Sequence, residues 1–157
     1  MRDGVEQRTR IEVSREITRR FRFDLADGAI DIETDGQEPG WLYAILSSIQ
    51  RLSFLPKDWD SYGGRPVTFE AAFHALELLA GYLPSNSVPP SIVPGSDGGI
   101  QLEWHRHAGD LEIAFDQAGE LSASFASGAG GVEWDMPSHD IDTDLLRGAV
   151  EIASGQL

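Results

Sequence analysis

The side chains able to do chemistry in this chain of 157 residues gather in two places. The first is Glu103-Trp104-His105-Arg106-His107. Side chains alternate between the faces of a strand, so Glu103, His105 and His107 would project together and could reach one cation. Zinc takes nitrogen and oxygen donors of this kind. Spacing fixes no fourth ligand, and the other two histidines, His74 and His139, are distant in sequence. The second place is Asp58-Trp59-Asp60-Ser61-Tyr62-Gly63-Gly64. Two carboxylates two residues apart could exchange protons with a substrate or bind a divalent cation. They could also build a structured loop, with the aspartates accepting from nearby amides and Trp59 as its anchor.

Most other chemistries lack their residues. The chain has no cysteine, which removes disulfides, thiolate metal sites and cysteine nucleophiles. Its single lysine, Lys57, lies in a loop and is a poor candidate for a Schiff base. Gly63-Gly64 and Gly128 to Gly131 lack the lysine and the strand–helix context of a phosphate-binding loop. The nucleophile-elbow pattern is missing. No cofactor is expected and no metal centre is assigned.

Charge narrows the partners. The formal net charge is −14 and it is uneven. Residues 1–22 carry seven arginines against four acids, a net of +3, whereas residues 23–157 carry five basic residues against 22 acids, a net of −17. So negative a body repels phosphate backbones, so nucleic acid is not expected on the main domain, and a basic protein would be attracted. The same acids serve solubility. No apolar run approaches the roughly 18–20 residues that span a membrane, and no hydrophobic segment follows Met1 as in a signal peptide. A cytoplasmic protein with no membrane partner is expected.

Residues 1–16 mix charges with few apolar side chains and read as a mobile N-terminal arm, with 17–157 as a single α+β domain. Ile17 to Thr34 alternates as a β-hairpin turning at Asp27-Gly28. Leu42, Ile45, Leu46, Ile49 and Leu52 recur at helical spacing, predicting a helix over Trp41 to Leu55 that Pro56 ends. Thr68 to Leu83 is a second helix with Thr68 as its cap and Phe69, Ala72, Phe73, Leu76, Leu79, Ala80 and Leu83 as its stripe. Short strands then alternate at Ser91–Pro94, Ile100–Arg106, Leu111–Phe115, Leu121–Phe125 and Val132–Met136, separated by glycine-bearing turns that demand antiparallel neighbours. Asp140 to Ile152 closes as a helix with Ile141, Leu145, Leu146, Ala149 and Ile152 inward. The expected fold is an antiparallel meander of four to five strands with two central helices and a C-terminal helix on one face, preceded by the hairpin.

If the apolar set of the meander faces the helices, its other face presents Gln101, Glu103, His105, Glu112, Asp116, Ser122, Ser124, Glu133 and Asp135. Any half-exposed antiparallel sheet has a polar face, so this is either solvated surface or a docking surface. Like charges directly opposite on adjacent strands are destabilising. Were Glu103 and Glu112 to pair, something other than fold stability would favour them.

Two phrases are specific: Leu55-Pro-Lys-Asp-Trp-Asp-Ser-Tyr-Gly-Gly64, and Pro89-Pro-Ser-Ile-Val-Pro-Gly-Ser-Asp-Gly-Gly-Ile-Gln-Leu-Glu-Trp104. Over about residues 50–117 the chain resembles a family of small uncharacterised bacterial proteins that share both. The resemblance implies a bacterial cytoplasmic domain and carries no catalytic residue over. Its signature positions here are Trp59, Asp60, Gly63, Asp97, Gly98, Gly99, Gln101, Glu103 and Trp104. A loop bearing Trp59 and Asp60 beside the turn before Gln101 would make a small polar cleft. The candidate binding residues are accordingly Trp59, Asp60, Tyr62, Gln101, Glu103, His105 and Glu112. The leading expectation is a non-catalytic interaction module, antitoxin- or immunity-like, that neutralises a basic protein partner. The alternatives are a small metal-dependent hydrolase using Glu103, His105 and Asp60, and a structural homodimer.

Overall fold

The computed structural model describes residues 19–35 and 37–155. The arm expected over residues 1–16 lies outside them. A two-stranded hairpin, β1 (Arg19–Leu25) and β2 (Gly28–Thr34), comes first. Helices α1 (Leu42–Ser53) and α2 (Phe69–Tyr82) follow. A five-stranded sheet is then laid down in chain order by β3 (Ser91–Pro94), β4 (Ile100–Arg106), β5 (Gly109–Phe115), β6 (Leu121–Ser127) and β7 (Glu133–Met136). Helix α3 (Thr143–Ser154) ends the described chain. Every strand pairing is antiparallel. The α+β architecture is the one expected, and the hairpin forms a sheet of its own.

All three helices cover one face of the five-stranded sheet: α1 packs on β3, and α2 and α3 on β4 and β5. Leu102, Trp104, Leu111 and Ile113 point into that layer and are almost fully buried. Burial of each such side chain contributes about 1.5–3 kcal/mol. Leu42, Ile45, Leu46, Ile49 and Leu52 of α1 are all buried, as their spacing predicts. Phe23, Leu25 and Ile30 of the hairpin join the same core, which is continuous from Phe23 to Ala153. Gln50 Nε2 donates to the Asp24 carbonyl at 2.8 Å, and the Ala26 amide donates to Ser53 Oγ at 3.3 Å, so the hairpin is fastened to α1.

Three local expectations need correction. The hairpin turns at Ala26-Asp27, and Gly28 pairs with Leu25 as the first residue of β2. Gly28 has no positive φ; its lack of a side chain makes room for the Phe69 ring, which an added Cβ would meet at 3.0 Å. On α3 the buried residues are Leu146, Ala149, Val150, Ala153 and Ser154, while Leu145 and Ile152 are 42% and 50% exposed. The small residues at 149 and 153 let the helix approach the sheet, so the stripe is rotated from the one built on the largest side chains. Phe73, placed in the α2 stripe, is partly exposed and stacks on Phe69.

Thr68 caps α2 as expected: the Ala71 amide donates to its Oγ1 at 3.2 Å. The connector between α2 and β3 is held by two buried indoles. Trp41 Nε1 donates to the Pro84 carbonyl at 3.0 Å, and Trp104 Nε1 donates to the Val88 carbonyl at 2.9 Å. Arg106, at the end of β4, reaches the carbonyls of Ala153 and Gly155 and so satisfies the C-terminal end of α3.

Candidate functional site

The helices leave the opposite face of the five-stranded sheet uncovered. Strand alternation puts Gln101, Glu103 and His105 there from β4, Asp110 and Glu112 from β5, Ser122 and Ser124 from β6, and Glu133 and Asp135 from β7. The register pairs Glu103 directly with Glu112. This is the like-charge pairing that costs roughly 0.2–1 kcal/mol. The hairpin of the same chain does the opposite: Arg20 faces Glu33 and Arg22 faces Asp31.

The two glutamates are flanked by polar partners. Gln101 Nε2 donates to Glu112 Oε2 at 3.0 Å. The His105 ring lies between two carboxylates, with Nε2 3.3 Å from Glu103 Oε2 and Nδ1 3.3 Å from Asp110 Oδ1. Both favour the imidazolium, Asp110 the more, so the pKa of His105 is raised above its ordinary value. His105 and Asp110 are themselves a cross-strand pair. One donor atom each from Glu103, His105 and Glu112 lie within 4.8 Å of one another. His107, grouped with Glu103 and His105 by alternation, sits instead in the two-residue turn after β4, and Glu112 stands in its place. Beside Glu112 the sheet surface dips into a depression of about 460 Å³ lined by Gln101, Ala114, Ser122, Ser124 and Asp135.

The tryptophan loop is a different construction. Its base is closed where the Val67 amide donates to the Leu52 carbonyl at 3.2 Å. Asp58 and Ser61 adopt positive φ of 64°, and Gly63 of 86°. Asp58 Oδ1 accepts from the Gly63 amide at 2.6 Å. Asp60 Oδ1 accepts from the amides of Tyr62 and Gly64, at 2.9 and 2.7 Å. Its Oδ2 accepts from Ser96 Oγ at 2.7 Å. The Ser96 hydroxyl first, then the Tyr62 amide, hold the Asp60 carboxyl below its ordinary pKa. Both carboxylates thus serve the loop itself. Trp59 is half-buried and donates from Nε1 to the Arg65 carbonyl at 2.9 Å. Tyr62 finds no cover on the core and is 94% exposed.

The loop does fold beside the turn before β4. The Arg65 amide donates to the Ser96 carbonyl at 3.0 Å and the Thr68 amide to the Gly98 carbonyl at 2.9 Å. Glu103 itself lies away from this turn. Glu103 pairs with Ser91 at the far end of β3, and at about 3.3 Å per residue it stands roughly 10 Å beyond Ile100. The structure therefore brings Gln101, Glu103, His105 and Glu112 together, while the hydrogen bonds of Trp59 and Asp60 go to their own loop and to Ser96. Asp110 was missed in the sequence; a two-residue turn at His107-Ala108, once read from the spacing, places it opposite His105. Ser96, the partner of Asp60, had no local signal.

No family model, no curated protein and no solved structure matches the chain. The site is read from its own geometry.

Proposed function

We propose that the protein is a non-catalytic binding module that holds a basic protein partner on the open face of its five-stranded sheet. The observation carrying this reading is the pairing of Glu103 with Glu112 on a face that none of the described helices covers. A lysine or arginine laid over the pair offsets its repulsion, and a guanidinium can take two carboxylate oxygens at once. The neighbouring depression of about 460 Å³, floored by Ala114, Ser122 and Ser124, gives room for the flanking side chains of such a partner. The net charge of −14 speeds the approach of a basic protein at low salt. A neutraliser of a basic toxin or effector is the form of this function that suits an acidic protein of this size. A hydrolase using Asp60 with Glu103 and His105 gains no support, because Asp60 is engaged by Ser96 and two loop amides.

The test is affinity capture with the full chain from extracts of its source cells, at low and at moderate salt. The double variant Glu103→Gln/Glu112→Gln is carried in parallel. A stoichiometric basic protein that is lost as salt rises, is missing from the variant and cross-links to β4 or β5 supports the reading. Equal retention by both chains, or a wild-type chain that retains nothing or only itself, overturns it.

A further inference from the structure

The corner formed by Glu103, His105 and Glu112 has a chemistry that needs no protein partner. We infer that these three side chains form a binding site for one divalent transition-metal ion of the zinc class.

The donor set comes first. One imidazole nitrogen and two carboxylate oxygens are donors that zinc takes, and three protein ligands would leave its fourth position open. Calcium and magnesium favour six or more oxygens and gain nothing from an imidazole. The three donor atoms already lie within 4.8 Å of one another. Tetrahedral zinc with ligands at 2.0–2.2 Å sets its donors about 3.4 Å apart, a closure within reach of two glutamate side chains by small torsional changes. The register of β4 against β5 fixes the three backbones: Glu103 is opposite Glu112, and His105 is two residues along on the same face.

The surroundings form a second, separate line. Asp110, which is not one of the three, stands 3.3 Å from His105 Nδ1. With Nδ1–H donated to Asp110, the lone pair of Nε2 is turned toward Glu103. Histidines that bind metals characteristically donate their other ring N–H to a carboxylate or carbonyl in this way. On the other side Gln101 holds Glu112 by Oε2. A dication between Glu103 and Glu112 also turns their mutual repulsion into shared attraction, which accounts for a pairing that folding alone disfavours.

The site is tested on the isolated, untagged full chain, so its outcome is separate from that of partner capture. The protein is stripped with chelator and titrated with zinc by equilibrium dialysis and elemental analysis, and with cobalt(II) by visible absorption. One equivalent is expected to bind per chain. His105→Ala and Glu112→Gln each weaken binding by more than about tenfold, and Asp110→Asn by about tenfold. Asp135→Asn removes a carboxylate from the same face outside the ligand set, and is expected to leave affinity within about twofold. Melting curves confirm that each variant is folded, and added zinc raises the melting temperature of the wild type and of Asp135→Asn, and raises it less in His105→Ala and Glu112→Gln. The inference is overturned if no stoichiometric metal binds. It is equally overturned if His105→Ala binds as the wild type does, or if Asp135→Asn weakens binding as much as Glu112→Gln.

Discussion

Ser96 Oγ donates a 2.7 Å hydrogen bond to Asp60 Oδ2, joining two loops that are 36 positions apart in sequence. Through it the tryptophan loop and the turn before β4 become one structure. Because Asp60 also accepts from two amides of its own loop, its removal leaves three donors without a partner. Asp60→Ala is expected to lower the melting temperature by more than Ser96→Ala, which loses one bond. The pH dependence follows from the lowered pKa of Asp60. The stabilisation is complete above the unfolded value of 3.8 and is lost as pH falls through the lower folded value. The stability gap between wild type and Asp60→Asn should therefore persist at neutral pH and close in acid.

The Asp-Gly-Gly turn before β4 is constrained at both glycines for different reasons. Gly98 has a φ of +93°, and a Cβ at Gly99 would lie 2.5 Å from the Phe115 carbonyl oxygen. That oxygen belongs to β5 and cannot swing aside as a side chain would. Gly99→Ala is expected to cost about 1–3 kcal/mol, read from chemical denaturation.

Removing one charge from the Glu103–Glu112 pair should stabilise the fold. Glu112→Gln is expected to gain roughly 0.2–1 kcal/mol in the metal-free protein at low salt. The gain shrinks as salt screens the pair, which thermal melts over a salt series would detect. A loss of stability on this substitution would mean that the pair is not repulsive.

His105 contributes in the opposite pH direction to Asp60. Its folded pKa is raised, by Asp110 first and then Glu103. Its contribution is fully present below the unfolded value of 6.5 and is lost as pH rises through the higher folded value. Wild type should gain on His105→Gln as pH is lowered from mildly alkaline to mildly acidic, with the gap reduced in Asp110→Asn. Melting temperatures across that pH range check it.

Arg106 is expected to matter through α3. Its guanidinium serves the carbonyls of Ala153 and Gly155, where the helix dipole is negative. Arg106→Ala should cost about 1–2 kcal/mol and loosen the last turn of α3 first, visible as faster amide exchange there.

What the sequence made legible was local. Helix α1 follows from five apolar residues at helical spacing, and β4 from the alternation of Ile100, Leu102 and Trp104 with Gln101, Glu103 and His105. The like-charge pair was legible as a question, and register answered it. What stayed hidden depends on residues distant in the chain. Gly28 is small because Phe69 arrives from another element. The inward stripe of α3 is chosen by how closely the helix can approach the sheet, which hydrophobicity alone does not encode. Asp60 could by its type serve either acid–base chemistry or the loop itself, and the position of Ser96 shows it stapling the loop.

The two indoles over the connector have a consequence for how much its length can vary. Trp41 grips the Pro84 carbonyl from the start of α1, and Trp104 grips Val88 from the middle of β4. Both indoles are fixed in the core, so the distance between their grips is set by the packing of helix on sheet. Surface connections ordinarily absorb insertions and deletions with little penalty. Here a residue added or removed between 84 and 88 would unhook one indole N–H and leave a buried donor unsatisfied. The segment works as a strap of fixed length, and length change should be tolerated far better at Gly128 to Gly131 than across these five residues.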